Sequence, residues 1–257
     1  MKRKFFCITA AVLTTISSLS QGLAATDKST TQEQIDHQAI QKATTNCEQT
    51  LEKIGSDGII LQILKADCSR NEKLRANPQK YWKRSQALSA IPGINAGWTT
   101  TWVLGDKCSG LNDNQFATLV TRFKLFRGLK GVSDIEALLE ASDEEYLALS
   151  DEKFTTVIER MKVLVELSGV SKSVIFIYAA KAEYLSLNDS QFKAVVNRIK
   201  VFTELGISDF DAFMRATDAK LVALTPSQSS VFLDCVKTRK SIDGLLSSCY
   251  QTASKAQ

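Results

Sequence analysis

The 257-residue chain contains a single histidine, His37, and only three prolines. With one histidine, a Ser-His-Asp or Cys-His site has just that residue to use. His37 falls in the first amphipathic stretch, where a solvent-facing or capping role is the simpler reading. No Cys-x-x-Cys pair occurs, which removes the zinc-knuckle and thiol-redox motifs. No glycine-rich loop is built to cradle phosphate. Carboxylates are plentiful, as in Asp143-Glu144-Glu145 and Asp151-Glu152, but these runs stand at helix starts, where acids favour the positive helix end. Nothing among them marks a general-acid pair. No catalytic, cofactor-binding or metal-ligating set is therefore assigned. With so little proline and no long Gly/Ser linker, no boundary between separate domains is expected.

Long apolar runs are also missing, apart from residues 5–16, which are too few for a membrane span. Lys2, Arg3 and Lys4 precede that run, and the small residues Gly22, Ala24 and Ala25 follow it. This order reads as a secretory signal over 1–25, cleaved near Ala24 or Ala25; a mitochondrial transit peptide is the rival reading. Residues 26–32 read as a disordered leader. The whole chain carries a net charge of +4, with 32 basic and 28 acidic residues. The signal accounts for three of the basic residues and none of the acids, so the remainder is nearly neutral. A globally basic surface that seeks nucleic acid is not indicated.

Cys7 lies in the signal, which leaves Cys47, Cys68, Cys108, Cys235 and Cys249. An odd number leaves at least one free or paired between chains. In an oxidising compartment, Cys47 with Cys68 would close the first helical hairpin and Cys235 with Cys249 the last. Cys68 with Cys108 is the competing choice.

What the chain does have is a period. Gly55, Gly93, Gly131, Gly169, Gly206 and Gly244 are separated by 38, 38, 38, 37 and 38 residues. Periods in this range belong to helical-repeat arrays. Ahead of each glycine comes a cap signal and a helix with an apolar face. Asn112 precedes Phe116, Leu119, Phe123 and Phe126; Ser150 precedes Phe154, Val157, Met161 and Leu164; Asn188 precedes Phe192, Val195, Ile199 and Phe202. Leu125, Val163 and Val201 add an apolar position on the other side, as a helix packed between neighbours requires. The glycine is expected to end this helix in a left-handed cap. A second helix follows, capped by Asn95, Ser133, Ser171 or Ser208, with framework positions such as Leu138, Leu139 and Tyr146.

The expected fold is all-α: a right-handed α-solenoid of about five 38-residue αα-hairpin repeats plus a truncated C-terminal capping unit, forming one domain over 33–257. The units run over about 35–72, 73–110, 111–148, 149–186 and 187–223, with the cap at 224–257.

Leu205-Gly206-Ile207-Ser208, followed by a helix and Leu221-x-x-Leu224, is similar in rhythm to mitochondrial transcription-terminator repeats. Those repeats carry a proline before the final leucines, and 144–149 and 182–187 have none. The resemblance implies duplex-DNA binding. A ladder of Arg84, Arg122, Arg160 and Arg198, with Lys124, Lys162 and Lys200 two residues on, could supply the cations. The competing reading is that each Arg covers apolar surface and pairs with an acid, for example Glu145 or Glu183.

A different stripe varies from unit to unit. Five and nine residues after each glycine stand Ile60/Leu64, Trp98/Trp102, Glu136/Glu140, Val174/Tyr178 and Asp211/Arg215. Changing chemistry on a constant frame suits a partner-reading face, with Trp98 and Trp102 as anchors. The sequence therefore points to a secreted or periplasmic scaffold for a protein or peptide partner. Nucleic-acid binding is the first alternative and a hydrolase acting through carboxylates the second.

Overall fold

The computed structural model of the chain describes residues 26–55, 58–239 and 245–256. The expected signal segment and Gly244 lie outside the described residues. Those residues form seventeen helices and no strand. The first three are α1 (Thr26–Ile54), α2 (Ile59–Asp67) and α3 (Glu72–Ala76). The expected leader at 26–32 is instead the start of α1. No glycine or proline interrupts the chain until Gly55, so nothing breaks the helix there. Residues 32–42 of α1 are solvent-exposed, Ile35 and Ile40 included, while Cys47 and Leu51 near its end are buried.

Four sets of three helices follow, each a long helix, one of eight or nine residues, and one of four. They are α4 (Pro78–Ser89), α5 (Ala96–Leu104) and α6 (Asp106–Ser109); α7 (Asp113–Arg127), α8 (Asp134–Ala141) and α9 (Glu144–Leu147); α10 (Asp151–Leu164), α11 (Lys172–Ala179) and α12 (Ala182–Leu185); and α13 (Asp189–Glu204), α14 (Asp209–Ala216) and α15 (Ala219–Val222). α16 (Pro226–Arg239) and α17 (Leu245–Ser254) end the chain.

The caps explain the boundaries. Asn112 and Asn188 each accept the N–H of a glutamine three residues on, and that glutamine accepts the asparagine N–H in return. Thr225 and Gln228 repeat the exchange ahead of α16, with Pro226 at the first helical position. The expected caps Asn95, Ser133 and Ser208 accept first-turn amides. Ser171 does not; its hydroxyl donates to Asp209 at 2.6 Å, one repeat later.

The two-helix unit becomes a three-helix unit because the second helix stops early. At Ser142 and Thr217 the chain turns, and Asp143 and Asp218 cap a fresh four-residue helix. Each short helix buries one side chain at the same place in the repeat: Cys108, Tyr146, Tyr184 or Leu221. Leu139, expected in the framework, is exposed, and so is Met214 at the same place in a later set.

The glycine ladder also does less than expected as a helix stop. Gly206 ends its helix directly. There Ile207 N–H reaches Phe202 O and Gly206 N–H reaches Thr203 O around a φ of +82°, a Schellman ending. Gly93 and Gly131 lie beyond helices that have already ended. They take the third place of turns closed by Ile94 to Ile91 and Val132 to Leu129. The single 37-residue step coincides with the missing turn residue before Gly206. Gly55 shows no positive φ; a Cβ there would sit 2.9 Å from Leu51 O and 3.2 Å from Trp82.

The core runs along the chain as one apolar cluster. Phe126 meets Tyr146, Phe154 and Phe176 edge-on, with ring centres 5.0, 5.3 and 5.8 Å away. Polar ties one repeat apart join neighbouring sets: Lys130 to Glu166 at 2.6 Å, Lys172 to Glu136 at 3.3 Å, and Ser171 to Asp209. Disulfides close both ends, Cys47–Cys68 and Cys235–Cys249. Cys108 is free and buried, so the Cys68–Cys108 pairing is not used. In the chain-entropy account, loops of this size stabilise by about 3 kcal/mol each.

Candidate functional site

The arginines of the ladder point inward. Arg84, Arg122, Arg160 and Arg198 are all buried. Their partners are carbonyls around the short helix of the same set, where helical C=O groups lack partners. Arg84 donates to Cys108 O at 2.8 Å and Leu111 O at 2.7 Å. Arg160, two periods on, makes the equivalent pair of bonds to Tyr184 O and Leu187 O. Arg122 reaches Leu149 O at 2.6 Å, and Arg198 reaches Ala216 O at 2.8 Å. Three of the four also lie over a ring of the next set: Arg84 on Phe116 and Arg122 on Phe154 at 4.7 Å, Arg160 on Phe192 at 5.1 Å. The acids they meet are the first residues of the next long helix, Asp113 at 3.1 Å from Arg84 and Asp151 at 3.8 Å from Arg122. Each of these three arginines is thus a clamp between sets rather than one rung of a solvent-facing stripe.

Arg198 breaks the pattern. The next long helix offers Pro226 where the others offer Asp, and Ser229 where they offer Phe. Its Nε and Nη2 find no hydrogen-bond partner among the described residues, a shortfall it shares with Nε and Nη1 of Arg122 and Nε of Arg84, but it has neither their acid nor their ring. Burial lowers its guanidinium to about 10. Lys124, Lys162 and Lys200 do face solvent, with Lys162 bonded to Glu159 at 2.7 Å and Lys200 4.0 Å from Glu204. Clefts of 610, 380 and 690 Å³ between consecutive long helices are the outer seams of these clamps, with an Arg–Phe pair in the lining of each.

The varying stripe does not lie on one exposed surface. Trp98 and Trp102 are half-buried and lean together with ring centres 5.8 Å apart. Glu136 is half-buried, and the Ser133 amide and hydroxyl, with Lys172, hold its carboxyl below the ordinary value. Glu140 is half-exposed. Val174 and Tyr178 are buried, the latter packed on Phe213 at 5.3 Å and Phe210 at 5.6 Å. Asp211 is exposed and bonded to the Ser208 hydroxyl, and Arg215 is half-buried. Tyr178 is therefore a packing residue. In its set this position turns toward the next eight-residue helix.

One step round the same helices, at four and eight residues after each glycine, the surface is apolar and open. Ile59 is 61% exposed, Ile135 and Leu139 are 53% and 40%, and Phe210 and Met214 are 48% and 54%. Alternate sets carry smaller or less exposed residues there, Gly97/Thr101 and Ser173/Ile177. The positions join across sets: a Cβ on Gly97 would lie 3.5 Å from Ile63, and Phe210 touches Tyr178. The recurrence of Ile59, Ile135 and Phe210 marks this row in the sequence, but Leu139 and Met214 obscure it by resembling core residues.

Among the described residues no group of His, Cys, Asp and Glu is arranged to hold a metal ion. His37 is exposed beside Gln41. Asp106, Glu136 and Asp209 are all shifted down by hydrogen bonds from Lys73, Ser133 and Ser171 respectively, the opposite of a general acid's need. No described helix is long and apolar enough to cross a membrane. No protein-family model matches the chain, and no curated protein or solved structure does either.

Proposed function

We propose that the chain is an exported right-handed α-solenoid that serves as a scaffold for a protein or peptide partner and performs no catalysis of its own. One observation carries this reading. The charged residues that recur most regularly are buried in joints between sets, whereas large apolar side chains recur in the open at one register of the eight-residue helices. Exposed apolar side chains gathered on one face are unusual for a protein that works alone. The two disulfides fit an oxidising compartment, in keeping with a secretory signal at the N-terminus. The repeated order of long, middle and short helix, tied one repeat apart, supports the array.

The test is co-purification from the native compartment with the Ile135→Asp, Phe210→Asp double variant beside the unaltered protein. Both residues are exposed, so helicity measured by circular dichroism is expected to stay the same. Loss of a partner seen with the unaltered protein is the expected result. An unchanged set of partners would remove this face from the reading.

A further inference from the structure

The exposed row is not uniform, and its pattern says what fits it. Ridges at Ile135/Leu139 on α8 and Phe210/Met214 on α14 flank a low point at Ser173 on α11. Helices packed side by side lie 8–10 Å apart, so ridges two helices apart stand roughly 16–20 Å from each other. A single α-helix, about 10 Å across with its side chains, fills such a trough. Lys172 bonded to Glu136, and Tyr178 against Phe210, place α11 next to both flanking helices.

The acids lie on the same helices as the apolar ridges. α8 carries Asp134, Glu136 and Glu140, and α14 carries Asp209 and Asp211, against one base, Arg215. Arg127 answers Asp134 at 2.6 Å and Lys172 answers Glu136. Among the described residues, Asp209 and Asp211 are bonded only to neutral serine donors and nearby backbone amides. The trough is thus apolar at its walls and acidic along its rim.

Resting on the scaffold reading above, we infer that the occupant of the α8–α11–α14 trough is a partner helix, apolar along one side and flanked by Lys or Arg. Apolar side chains at i, i+3 and i+4 enter between the ridges, and the cations meet Asp209 and Asp211.

The experiment uses the exported chain and three synthetic probes: an 18-residue amphipathic Leu/Lys helix, the same peptide with Glu for Lys, and vesicles of phosphatidylcholine. Binding is followed by fluorescence anisotropy and mapped by hydrogen exchange. The Leu/Lys peptide is expected to bind, to protect α8, α11 and α14, and to weaken with added salt. Ser173→Arg, at an exposed site where it fills the low point and repels cations, is expected to weaken binding at least tenfold; Ile135→Ser with Met214→Ser is expected to do the same. Equal binding of the Leu/Glu peptide, no binding of the Leu/Lys peptide, or indifference to Ser173→Arg each overturns the inference. Vesicle binding lost in the Ile135→Ser, Met214→Ser protein would make the row a lipid contact and also overturn it. If the native partner is lost on Ile135→Asp with Phe210→Asp while the Leu/Lys peptide has no affinity, this inference fails and the scaffold reading stands.

Discussion

At the scale of single residues, the four arginines occupy one position in the repeat and do not carry equal weight. Arg160 bonds two carbonyls and covers Phe192, so Arg160→Ala takes the side-chain donor from Leu187 O and leaves Tyr184 O with the Leu187 N–H alone. A loss of about 2 kcal/mol in urea-measured stability is expected, from two lost charge-assisted bonds and one acceptor left without its side-chain donor. Arg198 has one bond and two unpartnered nitrogens. Arg198→Met trades an under-paired buried charge for apolar volume, and is expected to be neutral or stabilising by about 1 kcal/mol. Equal losses in the two variants would contradict the clamp geometry. Cys108 offers a pH test. Burial lifts its thiol to about 11 from an ordinary 9.0, so the folded chain keeps a proton that the unfolded chain releases. That contribution is fully present below pH 9 and is lost as the pH rises toward 11. Stability of the unaltered protein is expected to fall more steeply over this interval than that of Cys108→Val, measured by urea midpoints at successive pH values.

At the scale of elements, local rules set where helices start better than where they stop. Asn112, Asn188 and Thr225 announce their helices because an Asx or Thr cap with a glutamine three residues on satisfies two amides within one turn of chain. Asn188→Ala is expected to cost about 1 kcal/mol. Stops depend on tertiary partners and are harder to read. The break at Ser142 that makes α9 a separate helix depends on Asp143 capping it and on Tyr146 bonding Phe176 O at 2.6 Å, thirty residues away. The inward turn of the arginines is likewise invisible locally, since an i-to-i+24 carbonyl contact leaves no periodic trace. The glycines are legible as a period, but their spacing does not reveal that Gly93 and Gly131 serve turns beyond the helix end. A Cβ added at Gly131 would have open space around it, with nothing within 4 Å, yet the backbone there holds a φ of +72°. Gly131→Ala is therefore expected to cost about 1–2 kcal/mol from backbone strain alone. Gly55→Ala meets Leu51 O and Trp82 instead, so its cost comes from displaced packing and is expected to be relieved in part by Trp82→Phe. Chemical denaturation of these variants separates the two origins.

At the scale of the molecule, the two end units are held differently from the middle sets. A clamp of the Arg160 type bonds carbonyls around the short helix of its own set and takes a ring of the following set as its cover. Nine residues into α16, where α7, α10 and α13 place Arg122, Arg160 and Arg198, the chain places Cys235, and it bonds to Cys249 on α17. In the first unit Asn46 stands nine residues before Gly55, where the clamp would be, and the adjacent Cys47 bonds to Cys68. At both ends a disulfide thus stands at or beside the position that holds a guanidinium clamp in the middle sets. In an array of units joined by nearest-neighbour contacts, the ends can open while the middle stays folded. Reduction with dithiothreitol is therefore expected to speed amide exchange in α1–α3 and in α16–α17, and to leave α7 through α15 protected. Cys108 gives no competing signal, because its buried thiol is unpaired before reduction as well as after it. If reduction instead released protection evenly along the chain, the sets would be folding as one indivisible body, and the solenoid reading of the repeat would fall with that result.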